Sequence, residues 1–348
     1  MKTDHGGRYT QNLLDFSVSI NPLGPPACVT AVLAQALPFL TRYPSLDAEP
    51  ARRAIADRLS LDPEEVLVGN GATELISLLV RVLRPGRVWV VEPCYSEYRA
   101  AAESCGLPVM RLPYQVVGEC FEPAWDLLRP AAGDMVFLGY PNNPTGQFPD
   151  RHRLENILAT NGVQWVLDES FRAFCDPSGS CSPALPPRAP TTGVIAVRSM
   201  TKFFAVPGLR LGYLVGVRET VAKLMAAKDP WSVNGLAEHL AGLLLADESY
   251  AERTRRFVSA ERERVSSRLA AEGVRVYPAE ANFLLGVLPE DKTVKTLNAC
   301  LKQQGMVVRD ASTFAGLTER HFRVGLRTPP ENDRLIAALA GFVRSRYK

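Results

Sequence analysis

The chain has 348 residues, 46% of them apolar and 22% charged, with a formal net charge of +3. That is material for one large or two ordinary globular domains, and so small a charge, spread along the chain, gives no reason to expect nucleic acid or an anionic membrane as partner. The polar start leads into no apolar run of the roughly 18 residues that a membrane span needs, and the seven cysteines form no C-x-x-C pair, which speaks against a disulfide framework or a metal site and for a cytoplasmic protein.

His5-Gly6-Gly7 opens the chain, where paired glycines let backbone N–H groups and an imidazole approach an anion; a flexible terminus is the plain alternative. An alternating run over 14–20 leads to Asn21-Pro22-Leu23-Gly24. Helices are expected over 27–37 and 49–59, joined by the extended link Arg42-Tyr43-Pro44, since a residue before proline is pushed out of helical geometry. The strand 65–68 then runs into Gly69-Asn70-Gly71-Ala72-Thr73-Glu74 and a helix with Leu75, Leu78, Leu79 and Val82 on one face. A glycine turn that opens a helix offers unpaired N–H groups to a phosphate, although a simple helix cap has the same appearance.

From there strands and helices alternate. Short apolar strands are expected over 88–91, 109–112, 135–139, 164–167, 194–197 and 213–217, which implies a mostly parallel sheet covered on both faces. In such sheets the binding crevice lies beyond the carboxyl ends of the strands. Polar residues just past those ends therefore carry weight: Tyr95, Asn143 within Pro141-Asn142-Asn143-Pro144-Thr145-Gly146, Asp168-Glu169, and Lys202. Lys202 stands out. A lysine amine where a buried strand ends can be desolvated and held unprotonated, as a carbonyl-capturing nucleophile requires, and Ser199, Thr201 and Arg210 beside it suit a phosphate. An aldehyde next to a phosphate describes pyridoxal phosphate.

Beyond Lys202 the pattern gives an apolar helix over 236–245, a long charged helix over 249–272 that connects two domains, and a smaller α/β unit. In that unit strands are expected over 274–277, 282–287, 306–309 and 321–326, with a helix over 294–304 and a last helix opened by a Thr328/Glu331 capping box. Arg309 and Arg323 lie on its strands, where surface ion pairs are the plain alternative. The stretch 176–190, rich in Pro, Ser and Gly, reads as an exposed loop. The domains expected are an N-terminal segment over 1–40 packed on the small domain, a large cofactor-binding domain over 41–250 and a small domain over 251–348.

With those motifs in order and spacing, nearly the whole chain resembles the fold-type I pyridoxal-phosphate enzymes of the class I/II aminotransferase superfamily. Closer still is its similarity to the threonine-phosphate decarboxylases of cobalamin biosynthesis, carried by His5-Gly6-Gly7, Leu14 to Gly24, Arg42-Tyr43-Pro44, Pro230 to Asn234 and Arg323 to Arg327. The histidinol-phosphate aminotransferases are the competing family, and there a tyrosine is expected where this chain has Phe171. Ser45 departs from the acidic residue usual after Tyr-Pro.

The resemblance implies that Lys202 binds the cofactor covalently and carries protons, and that Asp168 pairs with its ring nitrogen. It implies Asn143 on the phenolic oxygen, Tyr95 over the ring, and Gly71, Ala72, Ser199, Thr201 and Arg210 on the phosphate, with Tyr43 reaching in from the second subunit of a homodimer. For a phosphorylated amino-acid substrate it implies Arg323 on the carboxylate, with Arg309, His5, Gly6 and Asn21 around the substrate phosphate and Asn143 nearby. Aminotransfer is the alternative activity. A cofactor-binding regulator without turnover is the alternative of another class.

Overall fold

The computed structural model describes residues 6–7, 13–159, 162–175 and 192–345. His5 and the expected loop over 176–190 lie outside them. Its main element is an eight-stranded sheet in the order Val66–Asn70, Leu211–Val215, Val194–Ser199, Gln164–Asp168, Met135–Gly139, Val88–Glu92, Val109–Val117 and Cys120–Pro123. The four pairings from Val194–Ser199 across to Val109–Val117 are parallel; Leu211–Val215 runs antiparallel to both of its neighbours, as Cys120–Pro123 does to its one. Val66–Asn70 therefore points the same way as the parallel strands. Gly71, Tyr95, Asn143, Asp168 and Lys202 all follow or end strands of that common direction, so they gather along one edge.

The central strands are apolar on both faces because helices cover both. Met135–Gly139 and Leu211–Val215 are buried throughout. One of the covering helices, Ala72–Leu83, turns Leu75, Ile76, Leu79 and Val80 into the core. The second sheet is antiparallel, in the order Arg275–Val276, Phe283–Val287, His321–Gly325, Arg309–Asp310. The capping box forms: Glu331 Oε2 accepts from Thr328 N at 3.1 Å and from Thr328 Oγ1 at 2.7 Å. One buried apolar cluster continues from Phe16 through Phe171, Phe203 and Phe283 to Phe342, so the two sheets share a core.

Four expected elements take a different form. The helix over 27–37 is two, Ala27–Leu33 and Leu37–Leu40, with Pro38 in the first turn of the second. The strand begun at Val109 extends to Val117 and folds back through Gly118 as a hairpin. The strand expected over 213–217 lies at Leu211–Val215, and that over 306–309 divides, Met306–Val307 joining Leu14–Asp15 in parallel while Arg309–Asp310 joins the four-stranded sheet. The three strand differences have one source, since apolar periodicity reports burial and not the partner strand.

The N-terminal segment is fastened by backbone. Gly325 N donates to Phe16 O at 2.8 Å, and a Cβ built on Gly325 would lie 2.0 Å from Val18 O. No rotamer relieves a clash with a carbonyl. Gly325→Ala should therefore destabilise the protein by about 1–3 kcal/mol through forced backbone displacement, read as a lower urea midpoint; an unchanged midpoint would contradict this close approach.

Candidate active site

At the gathered edge two adjoining cavities, of 220 Å³ and 320 Å³, share Tyr95 and Asn143 in their walls. The smaller is bounded by Ala72, Thr73, Asp168, Phe171, Ser199, Thr201, Lys202 and Arg210. Lys202 Nζ donates to Ser199 Oγ at 3.3 Å and lies 5.1 Å from the Phe171 ring centroid. Burial pushes its amine down to about 8; Asp168 opposes the shift, and Arg210 and Arg323 add to it. Cys94, in the adjoining wall, is pushed up by burial and remains a thiol.

Glycine makes the phosphate end. Gly71 has φ +80°, and a Cβ on it would meet Arg210 Nη2 at 2.6 Å, so only glycine lets this guanidinium lie across the start of Ala72–Leu83. Gly71 N itself is spent on Gly69 O at 2.8 Å, which corrects the expectation that its N–H would bind an anion. Ser199 and Thr201 share a 2.8 Å hydrogen bond between their hydroxyls. A guanidinium, two hydroxyls and the N-terminus of a 12-residue helix suit a phosphate at one end; a carboxylate and a lysine amine face the same space. This donor set fits pyridoxal phosphate.

Asp168 closes its strand, and its carboxylate accepts from Ser170 N at 2.9 Å and from Tyr98 Oη at 2.6 Å. Behind it the Glu169 carboxylate is buried between Arg198, whose Nε donates at 2.6 Å, and Arg172. Burial raises Glu169, but the two guanidiniums outweigh it and hold the group below the usual carboxylate range. These ion pairs tie the strand ends that carry Asp168 and Ser199.

The larger cavity contains the arginines. Arg309 and Arg323 stand directly opposite each other on antiparallel strands, with only 9% and 8% of their surface exposed, so they are not surface ion pairs. Like charges in that register destabilise a sheet. Burial first, and Arg309 second, push Arg323 down to about 9 with Asp15 partly opposing; the group stays protonated at neutral pH. Arg323 Nη2 donates to Ser17 O at 2.8 Å, Nη1 donates to Asn143 Oδ1, and its buried Nε has no partner among the described residues. Because a guanidinium only donates, the Asn143 atom it meets is the oxygen, which leaves Nδ2 as that side chain's donor. Arg309 donates to Thr313 Oγ1 at 3.1 Å. Gly6 lines this cavity too, held against Ser17, whose Oγ accepts from Gly7 N at 3.2 Å.

Two expected residues are elsewhere. Asn21 is buried behind the lysine turn, its Nδ2 donating to Phe203 O at 2.8 Å and to Tyr250 Oη and Thr254 Oγ1 at 2.9 Å each, with Oδ1 accepting from Leu23 N at 3.1 Å. Its amide is consumed in bracing that turn, which corrects its expected place at the substrate phosphate. Tyr43 touches neither cavity; it is 85% exposed and packs on Trp231 at 5.3 Å. Sequence reasoning missed Tyr98, Arg99 and Thr313. Tyr98 alone had a signal, being one helical turn from Tyr95.

A family model for class I and II aminotransferases matches residues 11–339. The chain belongs to that family. It is 34% identical over 334 residues to the threonine-phosphate decarboxylase of Salmonella typhimurium, covering 94% of this chain and 90% of that one. It is also 34% identical over 335 residues to the histidinol-phosphate aminotransferase of Symbiobacterium thermophilum, with the same 94% and 90% coverage. The crystal structure of L-threonine-O-3-phosphate decarboxylase from Porphyromonas gingivalis matches with a TM-score of 0.83 at 26% identity, over 95% of this chain and 99% of that chain. This aminotransferase-family protein is thus a pyridoxal-phosphate-dependent enzyme of the α/β fold expected. No helix among its described residues is long and apolar enough to cross a membrane.

The lowered lysine gives a pH test. Only the unprotonated amine attacks an aldehyde, so cofactor capture by the apoenzyme should rise with pH to a midpoint near 8, where half of Lys202 is neutral. Stopped-flow absorbance would measure it; a midpoint above 10 would mean the amine is solvated. Lys202→Ala should abolish covalent capture.

Proposed function

We propose that the enzyme decarboxylates O-phospho-L-threonine to (R)-1-aminopropan-2-ol O-2-phosphate and carbon dioxide, a step of cobalamin biosynthesis. The observation that carries this reading is the opposed pair Arg309 and Arg323, both buried in the cavity that adjoins Lys202. Two cations held against each other's field are relieved by a substrate with two anionic groups, and phosphothreonine has a carboxylate and a phosphate. The same cavity has Arg99 and the hydroxyls of Ser96, Ser312 and Thr313 in its wall, with Glu92 as the acidic residue there.

Bound pyridoxal phosphate supplies an electron sink conjugated with the substrate's α-carbon. In this reading Asp168 would hold a proton at the ring nitrogen, Asn143 Nδ2 would donate to the phenolic oxygen and Tyr95 would line the side of the cofactor site. Ala72 N, Ser199, Thr201 and Arg210 hold the phosphate. Lys202 would hold the cofactor and could supply a proton at the substrate's α-carbon. Arg323 grips the carboxylate; since it also donates to Asn143, carboxylate binding and the hold on the phenolic oxygen share one guanidinium. Arg309, with Gly6 and His5, takes the substrate phosphate.

Amino transfer from histidinol phosphate is the second reading, supported by a relative of equal identity. Phe171 weighs against it, because a phenyl ring lacks the donor that a tyrosine would offer the phenolic oxygen. Incubation with O-phospho-L-threonine, without any keto acid, should release carbon dioxide. Exchange of amino groups between histidinol phosphate and 2-oxoglutarate, with no carbon dioxide from phosphothreonine, would overturn the decarboxylase reading.

A homodimer completes the proposal. Tyr43 and its neighbours Leu37, Leu40 and Leu46 are exposed, an apolar patch of the kind that partners cover. The Tyr43 segment is held in place, since Ser45 binds Glu238 and Trp231 N donates to Leu46 O at 3.1 Å. Glu238 thereby supplies the carboxylate that position 45 lacks.

Truncating Arg309 should weaken phosphorylated substrates by about 2–5 kcal/mol and narrow their advantage over threonine. Truncating Arg323 should also lower the ratio of carbon dioxide to pyridoxamine phosphate formed; equal losses on both counts in the two variants would remove this division of labour. Mixed Lys202→Ala and Tyr43→Ala subunits should recover activity that neither has alone, because a mixed dimer contains one site with both residues. Absence of recovery would mean that Tyr43 does not serve a partner's site.

A further inference from the structure

Tyr98 has no part in the chemistry described so far, yet it makes one of the two hydrogen bonds to the Asp168 carboxylate. Its Oη donates to Oδ2 at 2.6 Å, while Ser170 N occupies Oδ1 at 2.9 Å. The tyrosine is fully enclosed. Its ring is stacked on Phe137 at 5.0 Å and 8°, and meets Tyr95 edge-on at 5.7 Å and 83°. A core tyrosine needs a partner for its hydroxyl, but any backbone carbonyl would serve; here the partner is the buried acid that faces the cofactor cavity.

We propose that Tyr98 is a positioning residue for the cofactor ring: its hydroxyl fixes the plane of the Asp168 carboxylate and reduces the negative charge presented to the cavity, while its ring edge fixes Tyr95. The inference rests on the reading above that Asp168 faces the ring nitrogen. Three features support it. A phenol 2.6 Å from a carboxylate away from water makes a charge-assisted bond, stronger than a neutral one. Burial, with the Asp168 charge adding to it, pushes the phenol well above its usual range, so it remains a donor at every pH the enzyme tolerates. The helix Glu97–Ser104 carries Tyr98, and Tyr95 lies in the turn just before it with its ring against the Tyr98 ring at 5.7 Å, so Tyr98 contacts both the acid and the aromatic in the cavity wall.

The direction of the effect follows from charge. Asp168 favours the protonated form of the nitrogen on Lys202, whereas Arg210 and Arg323 disfavour it. Around Asp168 the other titratable neighbours are Tyr95 and Cys94, both pushed up by burial and neutral across the range scanned. Removing the Tyr98 hydroxyl leaves Asp168 with more uncompensated charge, which should raise the pH midpoint of the visible band of the lysine-bound cofactor. It also frees the carboxylate to rotate, and loss of a hydrogen bond to a charged group should weaken cofactor affinity about tenfold.

The test compares wild type, Tyr98→Phe and Asp168→Asn. Each is measured for the pH titration of the visible band, for the dissociation constant of pyridoxal phosphate from the apoenzyme, and for the melting temperature. Tyr98→Phe keeps the stacked ring, so folding is retained. The expected result is an upward midpoint and weaker affinity in Tyr98→Phe, with a larger disturbance, in the opposite direction for the midpoint, in Asp168→Asn. A Tyr98→Phe protein with a changed melting temperature but unaltered midpoint and affinity makes the residue a packing element and overturns the proposal. An Asp168→Asn protein with unaltered midpoint and affinity overturns instead the assignment of Asp168, a distinguishable failure.

Discussion

A primary amine can attack at neutral pH only if it is taken out of water, and the arrangement around Lys202 meets that condition. Burial does most of it, and the guanidiniums of Arg210 and Arg323 add to it. Burying cations together is expensive, so the surroundings have to be rigid. Asn21 braces the turn from behind with its Nδ2 among the oxygens of Phe203, Tyr250 and Thr254, and Glu169, locked between Arg172 and Arg198, fixes the strand ends in front. Asp168 is the anion that keeps the lysine's shift moderate.

The two cavities differ in electrostatic character. The smaller has a cation and hydroxyls at one end and a carboxylate facing the same space, as a cofactor with a phosphate and a protonated ring nitrogen requires. The larger holds opposed guanidiniums of which one keeps a buried, unpartnered Nε among the described residues. Asn143 stands in the wall of both.

The fold brings these parts together through backbone approaches that leave no room for side chains. Gly71 makes room for Arg210, and Gly325 admits the N-terminal segment, whose Gly6 lines the larger cavity and whose Ser17 O accepts from Arg323. The long helix Glu248–Ala271 continues this bracing, with Tyr250 and Thr254 holding Asn21 and Arg264 reaching Asp333 on the last helix.

The residues that sit just past strand ends were legible from the sequence alone: Asp168, Asn143, Tyr95 and Lys202 follow apolar runs, and in a parallel sheet every such end lies on one edge. Family motifs identified the cofactor for the same reason, being contiguous stretches whose local geometry is their function. What the sequence left undecided depends on partners distant in the chain. Asn21 belongs to a motif near the substrate residues, yet its amide is satisfied by groups about 180 to 230 positions away, and no local pattern reveals that. Tyr98 looks like an ordinary helical aromatic until the strand ending at Asp168 is set beside its helix. The facing of Arg309 and Arg323 likewise required the register of two strands, and the division of 306–309 between two sheets required knowing which strands were neighbours. Periodicity records that a side chain is buried; only the tertiary structure decides against what, because hydrogen-bond partners and strand neighbours are chosen across the chain and not along it.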